Sequence, residues 1–252
     1  VVSREGILDL LSLGPSRSLG NGIFKDIKEI PPSHYLCVFE HKVVLKKYWK
    51  LEAKEHKWGL EETKEELTYL LENIIKNQMV SDRGTFSFLS CGIDSTLLCS
   101  ILSNEFKKCN KILDTFTVDY VDYDKDFKGN EFEVTSDKDF VKIVNEKIKS
   151  NNRIITIKNE DLFYFLEEGL FASDIPAMAD IDTSLYLFCR GVKKYGTVGL
   201  SGECADEIFG GYPWYLNSED LKMETFPWCR FSQSRKNLFN DSIKKLDFDS
   251  YV

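Results

Sequence analysis

Phe86-Ser87-Phe88-Leu89, Ser90-Cys91-Gly92-Ile93-Asp94-Ser95 and Thr96-Leu97-Leu98-Cys99-Ser100-Ile101-Leu102 follow one another without interruption, and their reading decides the fold. The first run is apolar and strand-like, the last is helical, and a tight turn of small residues joins them. Such a turn lets the backbone approach an anion closely. The first N–H groups of the following helix have no carbonyl partner within it and point outward with the positive end of the dipole behind them. By residue type the segment is a pyrophosphate cradle. Ser90 and Ser95 add hydroxyl donors, and Asp94 places a carboxylate where a phosphate-bridging magnesium ion would sit. An ordinary strand-to-helix turn, with Asp94 or Ser95 as N-cap, would use the same residues.

Outward from this turn, strands and helices alternate. Leu67, Leu70, Leu71, Ile74, Ile75 and Met79 recur at helical spacing behind acidic Glu61, Glu62, Glu65 and Glu66, which predicts a core-facing helix. Ile112–Val118 predicts a strand, and Ser136 with Asp139 opens a helix through Phe140, Val141, Val144 and Ile148 in the manner of a capping box. Arg153–Ile157 is a β-branched strand, with helices expected at about 160–171 and 182–195. Thr197-Val198-Gly199-Leu200 is a last short strand, running into Ser201-Gly202-Glu203-Cys204-Ala205-Asp206-Glu207-Ile208-Phe209-Gly210-Gly211-Tyr212 with its three carboxylates. This alternation specifies parallel strands joined by right-handed crossovers, hence an α/β fold with a doubly wound parallel sheet. Ligands of such sheets bind beyond the carboxyl ends of the strands, near the switch point of strand order. Ser90, Val118 with Asp119, and Ser201 all fall at predicted carboxyl ends, so distant segments converge on one ligand.

Residues 1–52 differ in character. Tyr35–Phe39 and Lys42–Trp49 read as a β-hairpin around Glu40 and His41, too few strands for an independent domain. The polar stretch Glu52–Trp58 marks the boundary with residues 53–252.

Composition narrows the class. With 42% hydrophobic and 29% charged residues over 252 positions, the chain can bury a full core as one large domain or two small ones. No uninterrupted apolar stretch approaches the roughly 20 residues needed to cross a bilayer, and the start lacks the basic-then-apolar profile of a secretory signal, so a cytoplasmic protein without a membrane partner is expected. The seven cysteines are odd in number and scattered, with no Cys-x-x-Cys pair, which argues against a disulfide framework or a zinc site. A net charge of −8 disfavours general nucleic-acid binding.

Ser-Cys-Gly-Ile-Asp-Ser at 90–95 resembles the Ser-Gly-Gly-x-Asp-Ser pyrophosphate loop of the ATP-pyrophosphatase superfamily, and Ser201–Tyr212 with Pro213-Trp214-Tyr215 resembles the second active-site motif of glutamine-hydrolysing asparagine synthetases. Leu13–Leu36 is similar to the last segment of that family's glutaminase domain. The resemblance implies an adenine nucleotide alpha hydrolase-like sheet in residues 53–252 and the β remnant of an amino-terminal glutaminase domain in residues 1–52. It implies ATP and Mg2+, with Phe88, Leu89 and Val118 beside the adenosine, Ser90, Gly92, Asp94 and Ser95 at the pyrophosphate, and Ser201 and Gly202 as a second nucleotide contact. Asp94 and Asp206 are its metal ligands. Glu203 matches the acidic residue that assists ammonia attack; an ion pair with Arg190 or Lys193 is the other reading of that carboxylate. The reaction implied is amide formation from aspartate through β-aspartyl-AMP, with ammonia from glutamine, in a protein compatible with a homodimer.

Two departures qualify the resemblance. Cys91 stands at the first glycine of the loop, where a thiol near a helix N-terminus is open to oxidants and alkylating agents. Val1 falls downstream of the family's amino-terminal cysteine nucleophile, and family synthetases continue beyond the position of Val252 to a lysine that steadies the transition state, so the chain is expected to be part of a longer protein. Two other functions stay open on sequence: an adenylating amidotransferase of the β-lactam synthetase or lasso-peptide cyclase type, and a non-catalytic nucleotide-binding homologue. The segments Tyr120–Phe132 and Asp174–Asp180 are expected to border the acceptor pocket that would separate them.

Overall fold

A computed structural model of the chain describes residues 1–14, 17–90, 92–126, 138–176, 178–224 and 237–246. By their contacts the residues group into two compact units, Val1–Lys57 with Glu219–Val252, and Trp58–Ser218.

In the first unit a short helix α1 (Arg4–Leu8) is capped by Ser3, whose Oγ accepts from the Gly6 N–H at 2.8 Å. The hairpin is formed by β1 (His34–Phe39) and β2 (Lys42–Lys47), antiparallel with Phe39 opposite Lys42. Its turn residues Glu40 and His41 both hold positive φ, 42° and 66°, as a two-residue turn matched to strand twist requires. The family resemblance extends to Phe226–Arg230, which lies outside the described residues, and to a helix near Leu238–Leu246, of which a single turn, Asp241–Lys244, capped by Asn240, is formed.

The second unit runs α2 (Leu60–Gln78), β3 (Thr85–Phe88), α3 (Ile93–Lys108), β4 (Asp114–Tyr120), α4 (Tyr123–Asp126), α5 (Lys138–Ile148), β5 (Asn151–Ile157), α6 (Asn159–Tyr164), α7 (Leu166–Ser173), α8 (Ala179–Val192), β6 (Val198–Leu200) and α9 (Ala205–Phe209). Four parallel strands lie in the order β5-β4-β3-β6. The order grows outward from β3 through β4 to β5, then returns to place β6 on the other side of β3. The switch point therefore falls between β3 and β6, the two strands that lead into the quoted motifs.

Strand alternation divides the core between the two faces of the sheet. Leu89, Cys99, Leu102, Leu113, Val141 and Ile148 cluster with Ile75 on the face covered by α2, α3 and α5. Phe86, Phe116 and Ile157 pack with Phe188 and Val192 of α8 on the opposite face. Cys99 is fully buried, and burial pushes its thiol up to about 11, so it stays a protonated core residue.

Several boundaries differ from the sequence reading. The helix expected at 160–171 is two helices, broken at Phe165, and α8 begins at Ala179 rather than near 182. The apolar stripe of α2 packs only at its carboxyl end: Ile75 is buried, whereas Leu67, Leu70 and Ile74 are exposed among the described residues, because α2 rests mainly on α3. The capping-box residue Ser136 lies outside the described residues. Among those described, no helix is long and apolar enough to cross a membrane.

Candidate active site

Beyond the carboxyl ends of β3 and β6 the loops leaving the two strands meet around a cavity of about 360 Å3. Ser87 Oγ donates to the Leu200 carbonyl at 3.1 Å, which ties the end of β3 to the end of β6. Thr117 Oγ1 donates to the Leu89 carbonyl at 2.7 Å, which ties in β4. The three strand ends are thus held in one frame before any loop is considered.

The residues assigned on sequence to nucleotide, metal and catalysis line this cavity, whereas Asp119 lines a neighbouring one. Phe88, Leu89 and Ser90 come from β3 and its exit, Gly92, Asp94 and Ser95 from the start of α3, and Val118 from β4. Ser201, Gly202, Glu203 and Asp206 come from the β6 exit and α9. Cys91 lies outside the described residues. Phe116, Leu185, Phe188, Cys204 and Tyr212 complete the wall and were not singled out on sequence. Strand alternation could have found Phe116, two places before Val118, and helical spacing could have found Leu185 and Phe188. Cys204 and Tyr212 sit inside the second motif itself. The wall has two characters, aromatic around Phe88 and Phe188, whose rings lie 5.0 Å apart, and acidic around Asp94, Glu203 and Asp206.

The turn at 90–95 is not an ordinary side-chain cap. Gly92 is the N-cap of α3, and neither Asp94 nor Ser95 caps it. Ser95 Oγ instead donates to the Gly92 carbonyl at 3.2 Å and lies 3.1 Å from Ser90 Oγ, closing the turn on itself. The first intrahelical bond runs from the Thr96 N–H to the Gly92 carbonyl, so the N–H groups of Ile93, Asp94 and Ser95 have no helical acceptor. Asp94, free of capping duty, stands in the first turn.

Two glycines set how closely the motifs approach. A Cβ on Gly202 would stand 3.0 Å from the Ser95 nitrogen and 3.1 Å from Asp94 Cβ, so the β6 exit lies directly against the first turn of α3. A Cβ on Gly211 would stand 1.9 Å from Asp206 Oδ1, so only glycine leaves the Asp206 carboxylate its place. Glu203 forms no ion pair with Arg190 or Lys193; Arg190 lies over the Phe165 ring instead, 5.1 Å from its centroid. The Glu203 N–H donates to Ser201 Oγ at 3.1 Å, and its side chain is exposed to the cavity. Tyr212 Oη donates to Glu207 Oε1 at 3.0 Å; burial, that hydrogen bond and the charges of Glu207, Asp206 and Glu203 push its phenol up to about 12.

Cys204 holds φ 70° and ψ 5°, the left-handed region that disfavours side chains. Relief of about 1–2 kcal/mol of backbone strain, set against a smaller entropy loss from added unfolded-state freedom, predicts that Cys204→Gly raises stability by about 0.5–1 kcal/mol. A urea titration checks this, and a lowered midpoint would show that the thiol makes packing contacts outweighing the strain.

A second cavity, of about 660 Å3, shares Ser90 and Val118 with the first and is lined by Tyr120, Tyr123, Asn145 and Asn152. The expected acceptor segments divide here. Tyr120 and Tyr123 line this cavity, Ile175 and Pro176 line a separate one of about 190 Å3, and residues 127–132 and 177 lie outside the described residues.

Comparison with known proteins matches residues 66–250 to the asparagine synthase family. The chain is 39% identical over its whole length to asparagine synthetase [glutamine-hydrolyzing] 3 of Bacillus subtilis, covering 41% of that protein. It is 28% identical over 78% of its length to asparagine synthetase [glutamine-hydrolyzing] 1 of Bacillus subtilis, covering 29% of it. It is 26% identical over 63% of its length to the asparagine synthetase [glutamine-hydrolyzing] of Mus musculus, covering 27% of it. The chain thus spans less than half the length of these curated relatives.

Proposed function

The chain belongs to the asparagine synthase family, and from that premise we propose that it carries the ATP-dependent chemistry of an amide-forming ligase, converting aspartate to asparagine. The observation that carries this reading is the convergence of both motifs on one cavity at the switch point, with an aromatic end, the first turn of α3 and the carboxylates of Asp94 and Asp206 on its wall. In this reading residues 53–252 are an ATP-pyrophosphatase domain, residues 1–52 are the end of a glutaminase domain that supplies ammonia, and the working assembly is a homodimer.

The residues divide the work by their chemistry. Phe88 and Val118 of the sheet, facing Leu185 and Phe188 of α8, form an apolar slot suited to a purine, with Ser201 and Gly202 beside it for the ribose. The N–H groups of Ile93–Ser95 face the phosphates. Magnesium takes one or two protein carboxylates and completes its shell with phosphate oxygens and water, so Asp94 and Asp206 on one cavity suit it. When bound, it neutralises charge on the departing pyrophosphate. The aspartate β-carboxylate attacks the α-phosphorus, giving β-aspartyl-AMP and pyrophosphate. Ammonia then attacks the acyl carbon, Glu203 accepts its proton, and asparagine and AMP leave.

Calorimetric titration with Mg-ATP tests the reading. The chain is expected to bind, and Asp94→Asn and Asp206→Asn are each expected to weaken magnesium-dependent binding roughly 10-fold, or about 1.4 kcal/mol. A folded chain that shows no binding at millimolar Mg-ATP would overturn the nucleotide site, and two variants that titrate like the parent would make both aspartates structural.

A further inference from the structure

Three carboxylates, Glu203, Asp206 and Glu207, fall within the seven residues after β6, yet the structure treats them differently. Glu203 and Asp206 line the cavity, whereas Glu207 does not and is exposed on α9. Consecutive helical residues point about 100° apart, so the direction of Asp206 depends on how this short helix is rotated. Left-handed residues, Cys204 and Gly210, turn the chain at both ends of this five-residue helix. What fixes it lies just beyond. Tyr212 Oη donates to Glu207 Oε1 at 3.0 Å, and the Tyr212 ring stacks on Trp214 at 4.4 Å and 23°. The N–H groups of Gly210 and Gly211 both donate to the Asp206 carbonyl, at 2.9 and 3.0 Å. Tyr212 is itself part of the cavity wall, so this clamp and the cavity share a side chain.

We propose that Tyr212 is a positioning residue of the nucleotide site: its hydroxyl holds the Glu207 carboxylate outside the cavity, so that of the three carboxylates after β6 only Glu203 and Asp206 join Asp94 in presenting negative charge to it. The inference rests on the nucleotide reading above and assigns Tyr212 and Glu207 a role in it. The phenol remains protonated, and hence a donor, across the working pH range because burial and the surrounding carboxylates oppose its ionisation. Without the hydroxyl, Glu207 is released to approach the cavity mouth as a fourth negative charge beside Asp94, Glu203 and Asp206. That charge repels a polyphosphate and competes for its cation. For one charge at about 7 Å in a partly solvated setting, the penalty is of the size of a roughly 5-fold change in affinity.

The test is a double-mutant cycle on the full chain, titrated with Mg-ATP. Tyr212→Phe keeps the ring and its stack on Trp214 and is expected to weaken binding about 5-fold. Glu207→Gln alone is expected to stay within about 2-fold of the parent. The double variant is expected to recover, because glutamine carries no charge to release. A purely structural tyrosine gives the opposite pattern, with the double variant as weak as Tyr212→Phe or weaker, and that result overturns the proposal. Should the parent not bind Mg-ATP at all, the nucleotide reading fails separately. The clamp is then read from the Tyr212 13Cζ shift at neutral pH, which should move in Glu207→Gln because the hydroxyl loses its charged acceptor. A shift indifferent to that substitution removes the clamp.

Discussion

Glu203→Gln should lower amide formation on the order of 10²-fold or more while leaving Mg-ATP binding within about 2-fold of the parent. Proton removal from an attacking amine by a placed carboxylate contributes on that scale, close to 2.7 kcal/mol of barrier. Geometry supports the asymmetry between the two readouts. Glu203 faces the cavity beside Gly202 but belongs to neither the N–H cradle of α3 nor the aspartate pair, and it has no ion pair with Arg190 or Lys193 whose loss would spread damage. Glutamine is nearly isosteric and keeps a hydrogen-bonding group. The measurement is the ammonia-dependent rate of the full-length gene product, supplied with an ammonium salt so that glutamine hydrolysis plays no part, beside a calorimetric titration with Mg-ATP. A parental rate would remove the proton-accepting role. Joint loss of nucleotide binding and thermal stability would show a structural carboxylate instead.

The convergence of the two motifs on one cavity was legible because each motif is local in sequence. Ser90–Ser95 and Ser201–Asp206 each hold strand end, turn and helix start within a few residues, and backbone direction at a strand exit follows from that order alone. What was illegible depended on contacts between distant segments. The alternation of strands and helices implies a parallel sheet, but the placing of β6 against β3 rather than beyond β5 rests on non-local pairing, Phe86 with Gly199 and Ser87 with Leu200. Helical spacing in α2 indicates an apolar face without saying how much of its length meets a partner; only the end near Ile75 and Met79 does. The helix expected at 160–171 carries apolar residues throughout, and periodicity gave no sign that Phe165 leaves the helical region at φ −104° and ψ 16°. Phe188 illustrates the same limit at the site, since its position on α8 predicts burial but not that it borders the cavity opposite Phe88.

Phe116→Ala should remove about 3–5 kcal/mol of stability, because Phe116 is the largest fully buried side chain among the described residues. Phe116 is wholly buried, its ring meets Phe86 edge-on at 5.0 Å and lies 5.6 Å from Tyr195, and the Arg153 guanidinium sits 5.8 Å from its centroid. No small rearrangement refills that volume, because Phe86 and Tyr195 are anchored on separate elements and Arg153 is held by Asp114 Oδ1 at 2.6 Å. Against a typical total of about 5–15 kcal/mol the loss leaves a marginal protein. Phe116→Leu, which keeps most of the volume, should cost about 1–1.5 kcal/mol. Urea titration measures both, and a loss below about 1 kcal/mol for the alanine variant would show that this face of the sheet is not packed as described. The same residue also links core to site, since Phe116 and Phe88 line the same cavity. Mg-ATP at about 100 times its dissociation constant contributes about 2.7 kcal/mol to any folded state that binds it. Ligand should therefore restore most of the lost stability if the cavity survives truncation, and none if the frame of β3, β4 and β6 that holds the two loops together depends on this ring.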